Sequence, residues 1–300
     1  MLCKKKFFRL NVYIIFLYFI IIFIKFSTIN AEANTYRIKN LQISEPYELN
    51  FDKEKIIDKA FNEAFKELIY KITLSSDREK LNITNLSSIK ELIDSFEIVD
   101  EEFVDNKYYA NFEVHFDKKK FLRFLEKKNI FSSFPIEKNL FLMPILLDLK
   151  KGQIYLFSEN PFYLNWNNKN EKYFLLKYIL PNEDLEDIGI IQNKINDIEN
   201  YNFDEIISKY DVNDYAIVII FKNEKKLRSL SKILLNNQLI ILNENFDEVD
   251  LENKDSFEIV INNLKIDYEN QWKKLNQINT SIKLPLTLSL DTKDYDLIQK

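Results

Sequence analysis

Two small mixed-sheet units, α+β or α/β in class with helices packed on the sheets, behind an N-terminal signal peptide or anchor: this is the architecture the sequence predicts. Three observations predict it. Strand-like and helix-like periodicities alternate along most of the chain. Leu140–Leu149 and Tyr215–Phe221 are apolar almost throughout, the pattern of strands covered on both faces. Residues 1–33 carry the tripartite pattern of an export signal. A length of 300 residues suits two domains plus a targeting segment, and 46% apolar content is enough for a core.

The N-terminal segment places Lys4, Lys5, Lys6 and Arg9 before the apolar run Leu10–Ile24, and Ala31-Glu32-Ala33 fits a cleavage site at Ala31 and Ala33. Extending the run through residues 10–26 gives the alternative, an uncleaved membrane anchor. Either way the rest is exported across the inner membrane, to be periplasmic or membrane-anchored. Cys3 precedes the run, so it is not a lipoprotein cysteine.

The first domain is expected over 34–129. Tyr36–Ile43 alternates as a strand, ended by Ser44-Glu45-Pro46. Asp52 opens a helix to Ile72, with Ile56, Ile57, Ala60, Phe61, Ala64, Phe65, Leu68 and Ile69 on one stripe. A short helix follows at Ser87–Ser95, with Leu86, Ile89 and Ile93 inward. Phe96–Val104 and Tyr108–Asp117 read as a hairpin about Asp105-Asn106-Lys107. Lys118–Lys128 then reads as a helix burying Phe121, Leu122, Phe124 and Leu125. A linker is expected at 130–139, within the Ser- and Pro-containing stretch Asn129–Asn139.

The second domain is expected over 140–300. Pro144 inside the first apolar strand removes a ladder donor, which predicts an edge or a bulge there. Gln153–Phe157 is its expected hairpin partner, and Asn160–Asn170 reads as a polar loop around Trp166. Helical segments are expected at Lys172–Leu180, Glu183–Ile195 and Asp204–Tyr210. Ser229–Leu235 and Leu239–Leu242 read as a hairpin about Asn236-Asn237. Lys254–Ile278 holds the clearest helical spacing, through Phe257, Val260, Ile261, Leu264, Tyr268, Trp272 and Leu275. Ser281–Leu290 reads as a strand, and Asp294–Lys300 starts like a helix, which suggests a C-terminally shortened member of a longer family.

Scarce residues exclude chemistries. Gly152 and Gly189 are the only glycines, so dinucleotide fingerprints, Walker loops and nucleophile elbows are absent; each needs glycines close together for backbone approach. His115 is the only histidine and Cys3 the only cysteine, which excludes HExxH and Cys-based zinc sites and any disulfide. A Ser-His-Asp triad would depend wholly on His115, which projects from the polar face of its strand and reads as a surface residue. No catalytic residue, metal ligand set or cofactor is named by the sequence. Beyond Lys25 the chain carries 37 Lys and Arg against 47 Asp and Glu, a formal −10. That balance argues against nucleic acid and against attraction to anionic lipid, leaving the membrane reachable only through the N-terminal segment.

Two features stand out as candidate partner surfaces. Pro181, Asp184, Glu186 and Asp187 belong to an acidic string whose plainest reading is a helix start capped by Asn182, with its acids in the first turn. The string lacks the alternating ligands and glycine of a calcium loop. Trp166, beside Phe162 and Tyr163, reads equally as a core plug or a binding contact, whereas Trp272 lies on an apolar stripe.

The Leu180-Pro181-x-x-Asp184-Leu185-Glu186-Asp187 string, followed by an Ile-rich stretch, Tyr210-x-x-x-Asp214 and the buried strand Tyr215–Phe221, resembles a segment of a bacterial family of exported proteins catalogued as domain of unknown function 2066. Asp211-Val212 stands where that family has Gly-Ala, and the later hairpin lacks its tryptophan. The resemblance covers about residues 36–280. It implies an export signal and an α/β architecture, and no activity. The expectation is therefore a non-enzymatic envelope protein that binds another envelope protein. The alternatives are a periplasmic binder of a small molecule or lipid, suggested by the aromatic-rich stretch Phe157–Tyr178, and a carboxylate-based hydrolase.

Overall fold

The computed structural model describes residues 36–49, 51–168 and 173–278. The export segment with Ala31 and Ala33, the strand at Ser281–Leu290 and the helix start at Asp294–Lys300 lie outside the described residues. The fold is mixed α+β, with a three-stranded antiparallel sheet and a six-stranded mixed sheet. The chain divides into two compact units, one of residues 36–68 with 84–124 and one of 69–83 with 125–278 among those described.

In the first unit, β1 (Tyr36–Pro46) precedes α1 (Lys53–Ile72). α2 (Arg78–Asn82) follows in the chain but lies in segment 69–83 of the second unit; the first unit resumes with α3 (Leu86–Leu92), β2 (Ile93–Val104), β3 (Lys107–Phe116) and α4 (Lys118–Lys127), whose last three residues fall in the second. The strand order is β1-β3-β2. Ala110, Phe112, Val114 and Phe116 on β3 are buried with Ile38, Leu41 and Ile43 of β1 and with Ala60, Phe61, Ala64 and Phe65 of α1. Phe121 of α4 meets Tyr36 and Phe116 edge-on, with ring centroids 5.6 and 5.5 Å away. The β2–β3 loop is Asp105-Asn106 alone, both with positive φ (50° and 57°), which suits a tight hairpin. One boundary and one buried face move from the sequence reading. The short helix ends at Leu92 rather than Ser95, because Ile93 already pairs with Phe116 in the sheet, and Leu92 takes the buried place expected of Ile93. On α4 only Phe121 and Leu125 are fully buried.

The second unit is built on β4 (Lys138–Asp148) and β7 (Tyr215–Asn223), paired in parallel. Antiparallel β8 (Lys226–Leu235) and β9 (Gln238–Phe246) extend the sheet beyond β7. The other side of β4 takes β5 (Gln153–Tyr155) at one end and β6 (Leu176–Ile179) at the other. Both faces are covered, as the continuous apolar runs require. Leu140, Leu142, Leu146, Ala216, Val218 and Ile220 face a core completed by Trp166 and by α8 (Lys254–Leu275). Phe141, Met143, Ile145, Leu147, Ile217, Ile219 and Phe221 face the other core, completed by α6 (Leu185–Asn193) and α7 (Asp204–Ile207).

Pro144 sits at no bulge, since it pairs with Val218 in an unbroken register, but it does occupy a local edge on its other side. It is tolerated because β6 stops at Phe141 and β5 starts at Leu146, so β4 has no partner strand beside Pro144 on that side. The Pro144 carbonyl accepts there from Asn160 Nδ2 at 2.9 Å, and a proline lacking N–H leaves no donor unmet in the gap. The expected polar loop Asn160–Asn170 opens instead as α5 (Pro161–Asn165), since Asn160 caps it with Pro161 at the first position. The expected helix Lys172–Leu180 is β6, a strand whose short apolar run pairs with Lys138–Phe141. The stretch 130–139 contains buried Ile130, Ser132 and Ser133, with Ser133 N and Oγ on the Ile72 carbonyl at 2.7 and 3.1 Å.

Candidate functional site

The strands at the sheet edges differ sharply in how they are protected. An open edge presents N–H and C=O groups to any passing strand, and proteins blunt it with charge, bulges, proline or shortness. β1 carries a register shift at Lys39-Asn40 and ends on Pro46. β2 carries Asp94, Glu97, Asp100, Glu101 and Glu102 and two register shifts. β5 and β6 have three and four residues. β9 has none of these devices. It runs nine residues, Gln-Leu-Ile-Ile-Leu-Asn-Glu-Asn-Phe, in unbroken register with β8, and Glu244 is its sole charge. No strand among the described residues pairs with its outer side.

The same strand carries an uncovered apolar strip. Ile240, Leu242 and Phe246 pack toward the α8 core. Leu239 and Ile241 point to the opposite face and are 62% and 60% exposed. Beside them a groove of about 300 Å³ is walled by Tyr201, Phe203, Tyr215, Ile217 and Lys232. Tyr201 and Phe203 meet at 4.8 Å, and Lys232 Nζ donates to the Tyr201 carbonyl at 3.0 Å while lying 5.6 Å from the Phe203 ring. Burial holds the Lys232 ammonium below its ordinary pKa, against the pull of Asp197 and Glu199. The groove thus sets aromatic and aliphatic walls beside Asn200, Asn202 and Asp204, with one cation already engaged by the protein, next to an edge that no described strand pairs.

The acidic string has a different role. Asp184, not Asn182, caps α6, accepting from Glu186 N at 2.8 Å. Asp187 is fully buried: its carboxylate accepts from Lys209 Nζ at 2.9 Å and from the Tyr210 hydroxyl at 2.6 Å. Lys209 also reaches Glu186 at 2.6 Å. Burial, then the bond to Asp187, pushes the Tyr210 phenol up, and the two carboxylates push the Lys209 ammonium up. The Pro181 carbonyl accepts from Tyr163 OH at 2.7 Å. Asp214 pairs with Lys138 at 2.5 Å and accepts from Asn236 N at 2.7 Å. These residues tie α6, the turn at Ser208–Tyr210 and the strand ends together, and Asp187 has both oxygens occupied. Glu186 alone of the string's named acids is largely exposed, at 71%.

Trp166 is a core residue and offers no partner surface. It is fully buried, stacked on Tyr268 at 6.3 Å and edge-on to Tyr178 at 5.7 Å. Close by, α8 buries a row of charges four residues apart, Lys265, Glu269 and Lys273. Glu269 accepts from Leu176 N at 2.6 Å, and Lys273 donates to the Tyr70 carbonyl at 2.5 Å. His115, half-buried, bonds Glu113 at 2.8 Å, and Glu113 also pairs with Arg37. Burial, then Arg37, holds the imidazole below its ordinary pKa. A hollow of about 500 Å³ on the first unit is lined by Gln42, Ser44, Asp100, Glu102 and Asn111, the solvated face of an antiparallel sheet.

The β9 edge escaped the sequence reading, which took Leu239–Leu242 as one arm of a hairpin. Its signal was the uninterrupted Leu-Ile-Ile-Leu run, apolar on both faces without a second covering element to account for it. Among the described residues no group of three or more His, Cys, Asp or Glu is placed to hold a metal ion, and no helix is long and apolar enough to cross a membrane. No family model matches the chain, and no curated protein matches it.

Proposed function

We propose that this chain is a non-enzymatic interaction module of the bacterial envelope, and that it holds another envelope component by accepting a strand at the β9 edge. The observation that carries the reading is the contrast among edges: among the described edge strands only β9 combines nine residues, unbroken register and two exposed branched side chains. Strand addition draws affinity from main-chain hydrogen bonds and specificity from alternate side chains. Here Leu239 and Ile241 and the Tyr201–Phe203 groove would receive those alternate side chains. The basic and apolar N-terminal pattern and the resemblance of the 180–221 region support an exported location, periplasmic or anchored by residues 10–26. The formal −10 of the remainder supports a protein partner over nucleic acid.

The test is a native mass spectrum of the chain purified gently from its own envelope, alone and as Ile241→Lys. A second polypeptide on the native chain that is lost from the variant is the expected result. A bare monomer overturns the reading. So does an adduct of only a few hundred daltons, which would identify the groove as a small-molecule site.

A further inference from the structure

We propose that the strand received at β9 is β9 of a second copy, paired antiparallel about a two-fold axis at Ile240. This rests on the strand-addition reading and names its partner. Two-fold pairing requires a strand whose own side chains complement one another when reversed. With Ile240 opposite the partner's Ile240, Leu239 stands opposite the partner's Ile241, and Ile241 opposite the partner's Leu239. Directly opposite side chains share a face, so all four exposed aliphatic groups meet on the groove side. Gln238 then faces the partner's Leu242, and Glu244 lies beyond the paired segment, next to the Asn236-Asn237 turn of the other copy.

Other registers do less. Centred on Ile241, the pairing sets Leu239 against the partner's Asn243 and leaves it partly wet. Centred on Leu242, it sets Ile240 against the partner's Glu244. Centred on Glu244, it sets two carboxylates directly opposite each other, which is destabilising. Registers that pair odd with even positions turn the groove faces to opposite sides, and the exposed pairs no longer meet. Charge therefore permits, and apolar matching selects, the axis at Ile240. The other long edge strands are β1, interrupted by a register shift and ended by Pro46, and β2, which bears five carboxylates and two register shifts. Pairing through Gln238–Leu242 buries less than the ~1,200 Å² of a standard interface, so the expected Kd is micromolar, about 1–100 µM.

The experiment is disulfide trapping of the full chain in cells, in a Cys3→Ser background that leaves no other thiol. Directly opposed strand residues have Cα atoms about 4.5–5.5 Å apart, within disulfide reach. Ile240→Cys should give, on mild oxidation, a band at twice the chain mass on a non-reducing gel. Gln238→Cys and Ile241→Cys, which are staggered from their own copies in this register, should not. Adding Ile241→Lys to Ile240→Cys should abolish the band. Ile241 is 60% exposed, so the lysine variant should keep the native urea midpoint and tryptophan emission, which separates lost pairing from lost folding. Linkage through Ile241→Cys instead overturns the register. If Ile240→Cys never links while the native mass spectrum shows a different polypeptide released by Ile241→Lys, self-pairing is overturned and strand addition stands. If neither appears, both fall.

Discussion

Replacing Lys273 by methionine probes the buried charges of α8. The ammonium is 1% exposed, donates to the Tyr70 carbonyl and lies 4.0 Å from Glu269 Oε2. Burial, opposed by Glu269 and reinforced by Arg78, lowers its pKa from 10.5 to about 8. Holding it charged at pH 7 therefore costs stability, a cost already softened by Glu269, and methionine removes it while keeping most of the packing. It also leaves the Glu269 carboxylate without its buried cation and the Tyr70 carbonyl without its donor. Deleting one partner of a buried ion pair costs about 3–5 kcal/mol overall, and a loss of that order is expected at pH 7. The pH dependence is the sharper test. Between pH 8 and 10.5 the unfolded lysine still holds a proton that the folded one has released, so stability of the native chain rises with pH. The variant lacks that rise, and its deficit should widen by about 2–3 kcal/mol from pH 7 to pH 10. Urea unfolding followed by tryptophan emission reads this directly, because both tryptophans, Trp166 and Trp272, lie in the second unit. A deficit that stays constant or shrinks with pH would refute the reasoning. Adding Glu269→Gln, which keeps an oxygen for Leu176 N, should recover part of the loss.

Other outcomes follow from the same geometry. Asp187→Ala should cost about 2–4 kcal/mol in urea unfolding, since it leaves the Tyr210 hydroxyl and Lys209 without their buried acceptor; Asp187→Asn, which still accepts from Tyr210, should cost less. Trp166→Ala should cost about 3–5 kcal/mol by opening a cavity between Tyr178 and Tyr268. Asn237→Gly should stabilise by about 0.5–1 kcal/mol, because Asn237 sits at φ 61° in the β8–β9 turn, a conformation glycine adopts without steric cost. The phenol of Tyr108, pushed up to about 12 by burial and then by Glu101, should ionise later in a spectrophotometric titration than in Glu101→Gln.

Elements whose residues answer to one strong local signal were legible. The α1 and α8 stripes, the alternation in β3 and the buried runs of β4 and β7 were read to within a few residues, and the Asp105-Asn106 and Asn236-Asn237 turns were placed where positive φ occurs. Segments whose state depends on a distant partner were not. Leu176–Ile179 is a strand because Lys138–Phe141 lies alongside it, which nothing in Leu-Lys-Tyr-Ile declares. The same holds for Trp166: its polar surroundings left core plug and binding contact equally open, and α8 closes over it from a hundred residues away. The acidic string was recognised as a helix start, but the burial of Asp187 depends on Lys209 and Tyr210, brought in by a later turn. The β9 edge is a property of sheet order, and sheet order is written in no single segment.

The partition of the chain into units carries a consequence for the order of folding. Segment 69–83, made early, belongs with the second unit, and its ties are to the end of α8: Ser75 N to Asn270 at 2.9 Å, 195 residues on, and Lys273 to Tyr70, 203 residues apart. Closing such loops is slow compared with forming the β2–β3 hairpin or α1. The first unit's chain has emerged by about residue 124, whereas the second unit's ties run to the end of α8. A truncation before Asn270 would therefore leave the earliest strip of the second unit held at Ile72 by Ser133 but without its ties to the end of α8.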